Sequence, residues 1–293
     1  MISINNDNEG ADTMERPLDG KIALVTGGSR GAGRGIAIEL GKAGAVVYVS
    51  GRSLRGESTN GFPGSIDETA EEIRRLGGRA VPCRCDHTRD EDTEALIERI
   101  RQEQGRLDIL VNNVWGLHDF EANLKPRAFW EYPLKMWDAV FQSGVRAQIA
   151  TDHYAIPLML ETGRGIIVHT TFRDQDKYLS TFYYDLAKNA IHRTVFGLSH
   201  DLKNTGITVA AVSPGWMRTE LVLKNFGTDE DHWQEVEALG RTESTYYIGR
   251  AVCALAADPN RHDKHGQVLQ VGDLALEYGF TDIDGRYIPP FVI

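Results

Sequence analysis

KIALVTGGSRGAG, residues 21–33, joins a short apolar run to a glycine-rich turn. The apolar run, residues 22–26, is typical of a strand that is buried inside a parallel sheet. Beyond the turn, Ile36, Leu40 and Ala43 recur at helical spacing. This order of strand, glycine turn and helix predicts the opening of a βαβ unit, in which a crossover helix connects two parallel strands.

The glycine turn has the composition of a loop that binds phosphate groups. Gly27, Gly31 and Gly33 allow a tight turn, a close approach of the backbone to a pyrophosphate, and close packing of the helix on the strand. The helix N-terminus offers free N–H groups to the same anion. We therefore expect a dinucleotide site that includes Ser29 and Arg30, although a glycine turn can also be purely structural.

The end of the second strand selects between NAD and NADP. An acidic residue there would bind the ribose 2′-hydroxyl, whereas an arginine accommodates a 2′-phosphate. This chain has Arg52 at that place, in the run Ser50-Gly51-Arg52, and Arg30 in the glycine turn. Because a guanidinium makes planar, bidentate contacts with phosphate, we expect NADP(H). The alternative is that both arginines are solvated surface residues.

The rest of the chain repeats the alternation of strand and helix, which implies a parallel sheet with helices on both faces. The expected fold is α/β, a single Rossmann-type doubly wound parallel sheet of about seven strands. We expect residues 1–19 to form a disordered acidic leader. Residues 20–293 would form one domain with a C-terminal tail from about residue 273. The predicted strands are residues 21–26, 46–50, 79–85, 107–111, 165–171, 206–212 and 267–271, and the predicted helices include residues 66–76, 89–104, 135–161 and 244–257.

Composition excludes several classes of partner. The 293-residue chain has a formal net charge of -10, which opposes nucleic acid or an anionic membrane as a partner. No stretch reaches the roughly 18 apolar residues that a membrane span needs, and the N-terminus lacks the apolar core of a signal peptide. Three cysteines do not form a disulfide framework. We therefore expect an unsecreted, cytoplasmic protein.

Polar residues follow the third and fourth predicted strands. Asp86 and the pair Asn112-Asn113 stand at the carboxyl ends of these strands, where ligands bind in open parallel sheets. The Asp86 carboxylate could accept a hydrogen bond from an adenine amino group, or it could cap the next helix. The sequence leaves both roles open.

Tyr184 and Lys188 stand four residues apart in a helix-compatible run and share one helical face. A phenol has a pKa near ~10, and an adjacent cation lowers that pKa because it favours the charged form. The pair could therefore act as a general acid or base. Because the chain has ten tyrosines, an ordinary surface pair is the alternative for this spacing taken alone.

The ordered set of motifs is more specific than any of its members. The chain carries Thr26-Gly27-x-x-x-Gly31-x-Gly33, then Asp86 and Asn112-Asn113, then Tyr184-x-x-x-Lys188, and finally Pro214-Gly215-x-x-x-Thr219. From about residue 19 to residue 275 this resembles the short-chain dehydrogenase/reductase family of the classical type. The middle part includes Ala128-Phe129-Trp130-Glu131 and Met136-Trp137-Asp138, and the C-terminal part runs from Ile248-Gly249-Arg250 to Asp284-Gly285-Arg286. These parts are most similar to the branch called dehydrogenase/reductase member 1-like.

The resemblance implies a role for each matching residue. Tyr184 would donate the proton to a carbonyl oxygen, and Lys188 would lower the pKa of Tyr184 and hold the nicotinamide ribose. Thr171 falls where the family usually has a serine that orients the substrate oxygen, with Thr170 as the runner-up. A threonine hydroxyl also donates and accepts, but its methyl group narrows the site. The other implied cofactor contacts are Asn112 along the adenosine, and Pro214, Gly215 and Thr219 beside the nicotinamide.

Two positions depart from the family pattern. Gly144 stands where the family usually has an asparagine that supports a water-mediated proton relay to the lysine. The member 1-like branch is similar in having glycine there, so we interpret the change as a branch feature in which a backbone carbonyl holds the water. Val114-Trp115 replaces the common alanine-glycine after the two asparagines, and Trp115 would intrude near the site and reshape it.

The resemblance implies an oxidoreductase that transfers a hydride between nicotinamide and a carbonyl or alcohol, in a homodimer or homotetramer, and the two arginines make NADP(H) the expected cofactor. The residues expected near the nicotinamide favour a bulky or aromatic ketone or aldehyde. The alternative is an NADPH-binding sensor or interaction protein without turnover, and a sugar-nucleotide epimerase is a weaker rival. The expected substrate residues are Trp115, Phe120, Tyr178, Trp216 and Met217.

Nine histidines raise the question of a metal. His262 and His265 lie three residues apart in a polar turn, but the sequence shows no further ligand beside them. We therefore expect them to belong to a solvated loop, and we expect no metal.

Overall fold

The computed structural model describes residues 16–116, 127–173, 175–178 and 181–292. Seven strands form one sheet in the order β3-β2-β1-β4-β5-β6-β7, and every pair of neighbours is parallel. The predicted doubly wound sheet is confirmed. The strands are β1 Ile22–Thr26, β2 Val46–Gly51, β3 Arg79–Arg84, β4 Ile109–Asn112, β5 Arg164–Thr170, β6 Gly206–Ser213 and β7 Val268–Gln270.

Helices cover both faces of the sheet because the strands are apolar on both sides. In β1, Ala23 and Val25 belong to one buried cluster with residues of α1, α2 and α8. Ile22 and Leu24 belong to the opposite cluster with residues of α3, α5 and α6. This alternation follows from the two-residue period of a strand. The helices are α1 Gly31–Lys42, α2 Ile66–Arg75, α3 Asp90–Gln104, α4 Lys135–Phe141, α5 Ala147–Thr162, α6 Phe182–Asp201, α7 Glu220–Asn225, α8 Thr245–Ala257 and α9 Val271–Tyr278.

The helix predicted over residues 135–161 is interrupted. A π-helical turn, Gln142–Arg146, separates α4 from α5 and contains buried Gly144. Single π turns inside helices often occur at functional sites. Among the helices that the structure describes, none is long and apolar enough to cross a membrane.

Both predicted termini of the domain need correction. Leu18 is only 1% exposed, and its N–H donates to the carbonyl of Ala43 at 2.9 Å, so residues 16–19 pack on the domain. The rest of the expected leader, residues 1–15, lies outside the described residues. The region predicted as a tail from about residue 273 contains most of α9, and beyond it the Tyr247 hydroxyl donates to the Ile288 carbonyl at 3.0 Å. Both segments pack on the domain because they place apolar side chains in its core, Leu18 in the first segment and Leu274, Ala275 and Ile288 in the second.

Helices α1 and α8 pack so closely that their backbones are in contact. A Cβ atom added at Gly35 would lie 1.9 Å from the carbonyl oxygen of Thr245, and one added at Gly249 would lie 2.7 Å from the Gly35 carbonyl oxygen. Glycine on both helices lets them approach this closely. This contact fixes α1, whose N-terminus carries the glycine turn.

The replacement Gly35→Ala should destabilise the fold by more than about 2 kcal/mol, because the backbone of α8 must move to admit one methyl group. Urea unfolding at constant slope measures this change. Gly197→Ala is the matched control, since a Cβ there meets nothing within 4 Å in the middle of α6. The control should be neutral or stabilising by up to about 1 kcal/mol. Equal stability of the two variants would contradict the close packing of α1 on α8.

Candidate active site

A cleft of about 310 Å³ opens at the carboxyl ends of the parallel strands. Its wall brings together glycine-turn residues, the ends of β2 to β6, and the start of α6, which are distant in sequence. This is the edge of the sheet where open α/β folds bind ligands. The predicted residues found in the cleft wall are Gly27, Ser29, Arg30, Gly31, Arg52, Asp86, Trp115, Thr170, Thr171, Tyr184, Lys188, Pro214, Gly215, Met217 and Thr219.

The glycine turn adopts a backbone that other residues would strain. Gly27 and Gly31 have φ values of +66° and +54°, in the left-handed region. Gly33 does not face the cleft, and a Cβ atom there would lie 2.2 Å from the Gly27 carbonyl oxygen. Gly33 therefore packs α1 against the turn, as the glycine spacing predicts, and acts on a ligand only through the turn.

The N–H of Gly31, at the start of α1, already has an anionic partner. Glu220, the first residue of α7, accepts from this N–H through Oε1 at 3.1 Å and Oε2 at 2.9 Å. A carboxylate is favourable there because the helix N-terminus is positive. Sequence analysis missed Glu220, which is 189 residues from Gly31 and directly follows Thr219 of the recognised motif.

Arg30 is held by the polar segment that follows β2. Its Nη1 donates to the Thr59 carbonyl at 3.2 Å, and its Nη2 donates to the Ser53 hydroxyl at 2.7 Å. Burial lowers the pKa of Arg30, Glu220 opposes this change, and nearby Arg52 adds to it. Its Nε is buried and has no hydrogen-bond partner among the described residues. Arg30 therefore brings a positive charge to the cleft wall, and its Nε N–H is left without an acceptor among the described residues.

Arg52 and Asp86 face each other across the outer end of the cleft, with 4.0 Å between Nη1 and Oδ2. Asp86 Oδ1 accepts from the N–H and the hydroxyl of Thr88 at 3.1 and 2.7 Å. Burial raises the pKa of Asp86, but the two Thr88 hydrogen bonds and Arg52 together outweigh it and lower the pKa. The carboxylate thus holds the turn ahead of α3 and lines the cleft, but it does not cap that helix, whose N-cap is Arg89. The contact with an adenine amino group stays a prediction.

Burial sets the proton affinities of Tyr184 and Lys188, which lie in the first two turns of α6. It lowers the pKa of Lys188 to about 7 and raises the pKa of Tyr184 above its usual range. Burial thus outweighs the expected lowering of the Tyr184 pKa by the lysine. The Lys188 Nζ lies 5.5 Å from the centre of the Tyr184 ring, and desolvation outweighs its charge.

The two candidate threonines connect different elements. The Thr171 hydroxyl donates to the Lys188 carbonyl at 3.3 Å, so it joins the end of β5 to α6. The Thr170 hydroxyl lies 3.4 Å from the Asn112 carbonyl and 3.3 Å from Asn113 Oδ1, toward β4. Both line the cleft, and Thr171 is the one bonded to the helix that carries Tyr184.

Asn112 does not face the cleft, which corrects its predicted place along the adenosine. Its side chain is fully buried, and its Nδ2 donates to Asp152 Oδ1 at 2.6 Å. Its neighbour Asn113 lines the cleft and donates from Nδ2 to the Gly27 carbonyl at 3.1 Å. Adjacent residues at a strand end point to opposite sides, so the choice between them needed the sheet orientation.

The expected substrate residues divide into two groups. Trp115 and Met217 line the cleft, whereas Trp216 and Tyr178 do not belong to its wall and are 38% and 55% exposed. Phe120 lies outside the described residues. Phe172 was missed: it lines the cleft, and its ring centre is 6.3 Å from that of Tyr184. Its position directly after Thr171 at a strand end was the available signal.

His262 and His265 have structural contacts. Their rings stack with 4.7 Å between centres, and His265 Nδ1 accepts from the Val209 N–H at 3.2 Å. The other nitrogen of His265 donates to the Ser199 carbonyl at 2.9 Å. These bonds connect the turn before β7 to β6 and α6. Within the described ranges, no group of three or more His, Cys, Asp or Glu residues could hold a metal ion.

The parallel sheet, the glycine turn and the Tyr-Lys pair in one cleft are those of a short-chain dehydrogenase. Residues 21–230 match the short chain dehydrogenase family, and the chain belongs to that family. Within it, the chain belongs to the branch of dehydrogenase/reductase SDR family member 1. The human protein of that name is 35% identical over 285 residues, which cover 95% of this chain and 88% of the human protein.

Two solved structures share the fold over nearly their whole length. A short chain dehydrogenase from Mycobacterium thermoresistibile has a TM-score of 0.78 at 27% identity, and the aligned region covers 93% of this chain and 92% of the Mycobacterium chain. A 7 alpha-hydroxysteroid dehydrogenase, solved with NADH and 7-oxo glycochenodeoxycholic acid, has a TM-score of 0.71 at 27% identity and covers 92% and 96%.

The burial of Lys188 predicts a pH-dependent stability. Its pKa is about 7 in the folded chain and near ~10.4 when unfolded, so between these values the unfolded chain binds more protons. The free energy of unfolding therefore rises with pH through this window and is lowest below it. Lys188→Met lacks this contribution and should be more stable than the wild type near pH 6. Its advantage should shrink by about 2 kcal/mol between pH 7 and pH 9.

Urea unfolding of both proteins, without added cofactor, measures this difference at each pH. The comparison cancels every other titrating group. A difference that stays constant from pH 6 to pH 9 would show that Lys188 keeps an ordinary pKa in the folded chain.

Proposed function

We propose that the protein is an NADP(H)-dependent oxidoreductase that transfers a hydride between nicotinamide and a carbonyl or alcohol, reducing a bulky or aromatic ketone or aldehyde. One observation carries this proposal. The Tyr184 phenol, the buried Lys188 ammonium and the Thr171 hydroxyl meet at one end of a cleft whose other end is the glycine turn. A proton donor and a dinucleotide cradle are thus parts of one cavity.

The residues present fit a dinucleotide. The left-handed glycines leave the turn without side chains against the cleft, and the start of α1 already attracts a carboxylate. A pyrophosphate would take the place of that carboxylate at the N–H of Gly31. Pro214, Gly215 and Thr219 would border the nicotinamide end. When bound, the cofactor supplies the hydride, and the protein supplies position and the proton.

Tyr184 is the proton donor in this proposal. Because burial raises its pKa, the phenol keeps its proton at neutral pH and can give it to a developing alkoxide. Lys188 lies beside the ring and would hold the nicotinamide ribose. The Thr171 hydroxyl would turn from its bond with the Lys188 carbonyl to the substrate oxygen. Two hydroxyl donors aimed at one oxygen stabilise the charge that develops there.

The preference for NADP over NAD is supported by the two arginines. Arg30 and Arg52 both line the outer end of the cleft and repel each other electrostatically. An anion between them would relieve this repulsion and satisfy the buried Nε of Arg30. The related hydroxysteroid dehydrogenase was solved with NADH, so the family alone does not decide the cofactor.

The substrate class is supported by the apolar side of the cleft. Trp115 and Phe172 line the cleft with ring centres 5.5 and 6.3 Å from that of Tyr184, and Met217 also belongs to the wall. Flat or branched apolar groups fit such a wall. A bulky ketone, as in the hydroxysteroid dehydrogenase relative, has this character. Small polar carbonyl compounds would leave the aromatic faces in water.

The expected assembly is a homodimer or homotetramer in the cytoplasm. Four large apolar side chains are exposed on α5 and α6, each between 39% and 45%. A second copy that packed on these helices would remove them from water. They are Ile149, Leu160, Leu186 and Phe196.

Tyr184→Phe should lower kcat by at least about a hundredfold, because it removes the general acid. Binding of NADPH, measured by fluorescence, should stay nearly unchanged, since the ring remains in place. The assay is loss of NADPH absorbance with a panel of aromatic and aliphatic carbonyls. Unchanged turnover would contradict the role of Tyr184. Tight NADPH binding by the wild type without oxidation of NADPH would favour the alternative of a sensor without turnover.

Arg52→Ala should weaken NADPH binding by roughly tenfold to a hundredfold, as expected for a lost hydrogen bond to a charged group. NADH binding should change little, because NADH lacks the 2′-phosphate. Isothermal titration with both cofactors measures the ratio. An equal loss of affinity for NADH and NADPH would show that Arg52 acts only through its ion pair with Asp86.

Glu220→Gln is the matched control for that ratio. It removes the negative charge that competes at the N–H of Gly31, and pyrophosphate is common to both cofactors. The change should tighten NADH and NADPH binding by similar factors. A change in their ratio would show that Glu220 acts on the 2′-phosphate through Arg30, on which its charge also acts.

A further inference from the structure

The ring of Trp115 occupies the space beside Gly144. A Cβ atom added at Gly144 would lie 2.5 Å from Cζ3 and 2.6 Å from Cε3 of the indole. Real Cβ atoms essentially never come this close to another atom, so no side chain fits at residue 144 while the ring is in place. The two departures from the family pattern, at residues 115 and 144, are therefore one spatial feature.

The same indole also covers Lys188. The Lys188 Nζ lies 3.9 Å from the centre of the Trp115 ring, well inside the range of a cation–π contact. The edge contact between Trp115 and Tyr184 has 5.5 Å between ring centres at an angle of 77°. The ring thus joins the π-helical turn to the two residues of α6 that carry the proposed chemistry.

The Trp115 ring lowers the free-energy cost of burying the Lys188 ammonium. Lys188 is only 9% exposed, and burial is the cause of its lowered pKa, with no carboxylate of the described residues contributing to it. The negative face of an indole stabilises the charged form of the lysine and opposes desolvation. A ring at this distance also limits where the long, flexible side chain can point.

We propose that Trp115 is a positioning residue, which holds the ammonium of Lys188 against its indole face, and that Gly144 is glycine because the ring takes the space of any larger side chain. This rests on the proposed function for its consequence in catalysis. The contact itself is a property of the protein without cofactor. Trp115 therefore acts on the reaction through Lys188, besides forming part of the apolar wall.

The first test is a fluorescence pH titration of the protein without cofactor. An ammonium that loses its proton beneath an indole changes the emission of that indole. The wild type should show a step with a midpoint near pH 7, and Lys188→Met and Trp115→Phe should both lose this step. A step that persists in Lys188→Met would overturn the contact, even if the enzyme proposal holds.

The second test distinguishes a Trp115 ring that positions Lys188 from a ring that contacts only the substrate. Trp115→Ala should shift the Lys188 limb of the pH profile of kcat downward by roughly one unit, since a desolvated cation–π contact favours the charged lysine. Trp115→Phe, which keeps a ring face, should recover part of that shift. An unshifted limb with a raised KM for the carbonyl substrate would overturn the proposal.

The third test is a double-mutant cycle on the pH dependence of unfolding, which needs no activity. Gly144→Ala must displace the ring. It should therefore shift the contribution of Lys188 to the pH dependence of the unfolding free energy in the same direction as Trp115→Ala does. Adding Gly144→Ala to Trp115→Ala should change that contribution no further, because the space is already empty. Additive effects would show that residues 115 and 144 act separately. If turnover is absent but the cycle behaves as expected, the enzyme proposal fails and the contact stands.

Discussion

The buried ammonium of Lys188 is the constraint on which the geometry of the cleft depends. Removing a charged amine from water is unfavourable by several kcal/mol unless other groups replace the lost hydration. In this chain the groups that face it are aromatic rings, at 3.9 and 5.5 Å from Nζ. A methionine or leucine would fill the same volume without this cost. A lysine in such a place fits the proposed chemistry, because strongly perturbed proton affinities cluster at functional sites.

Several features that look unrelated in the sequence follow from that constraint. The ring that covers Lys188 belongs to Trp115, which follows the end of β4. The helix opposite then has to come close without a side chain, which explains Gly144. The π-helical turn Gln142–Arg146 widens the backbone at this same place, so the interruption of the long helix lies beside the ring. The Thr171 hydroxyl connects the arrangement to β5 through the Lys188 carbonyl.

Local patterns predicted the fold and much of the site, whereas contacts between distant residues escaped the sequence. The apolar runs and the glycine turn are local, so the sheet, the helices and the cradle could be read directly. Glu220 could not be found, because its partner Gly31 is 189 residues away. The choice between Asn112 and Asn113 needed the direction in which β4 presents its last residues. The contact between Trp115 and Gly144 depends on how the segment that joins α4 to α5 packs, so the sequence could not show it. The burial of Leu18 likewise depends on where the edge of the core lies.

The two arginines at the outer end of the cleft differ in what they can offer a ligand. Arg30 is fixed, since Ser53, the Thr59 carbonyl and the Gly64 carbonyl accept three of its donors, while its Nε has no partner among the described residues. Arg52 is held by Asp86 at 4.0 Å, and its side chain is 42% exposed. An ion pair this long and this solvated is worth about 1 kcal/mol or less. Arg52 can therefore exchange its carboxylate for a phosphate at little cost, whereas Arg30 supplies a fixed charge. In a complex with NADP(H), Arg52 would then make the contact with the 2′-phosphate, and the fixed charge of Arg30 would determine where that phosphate lies.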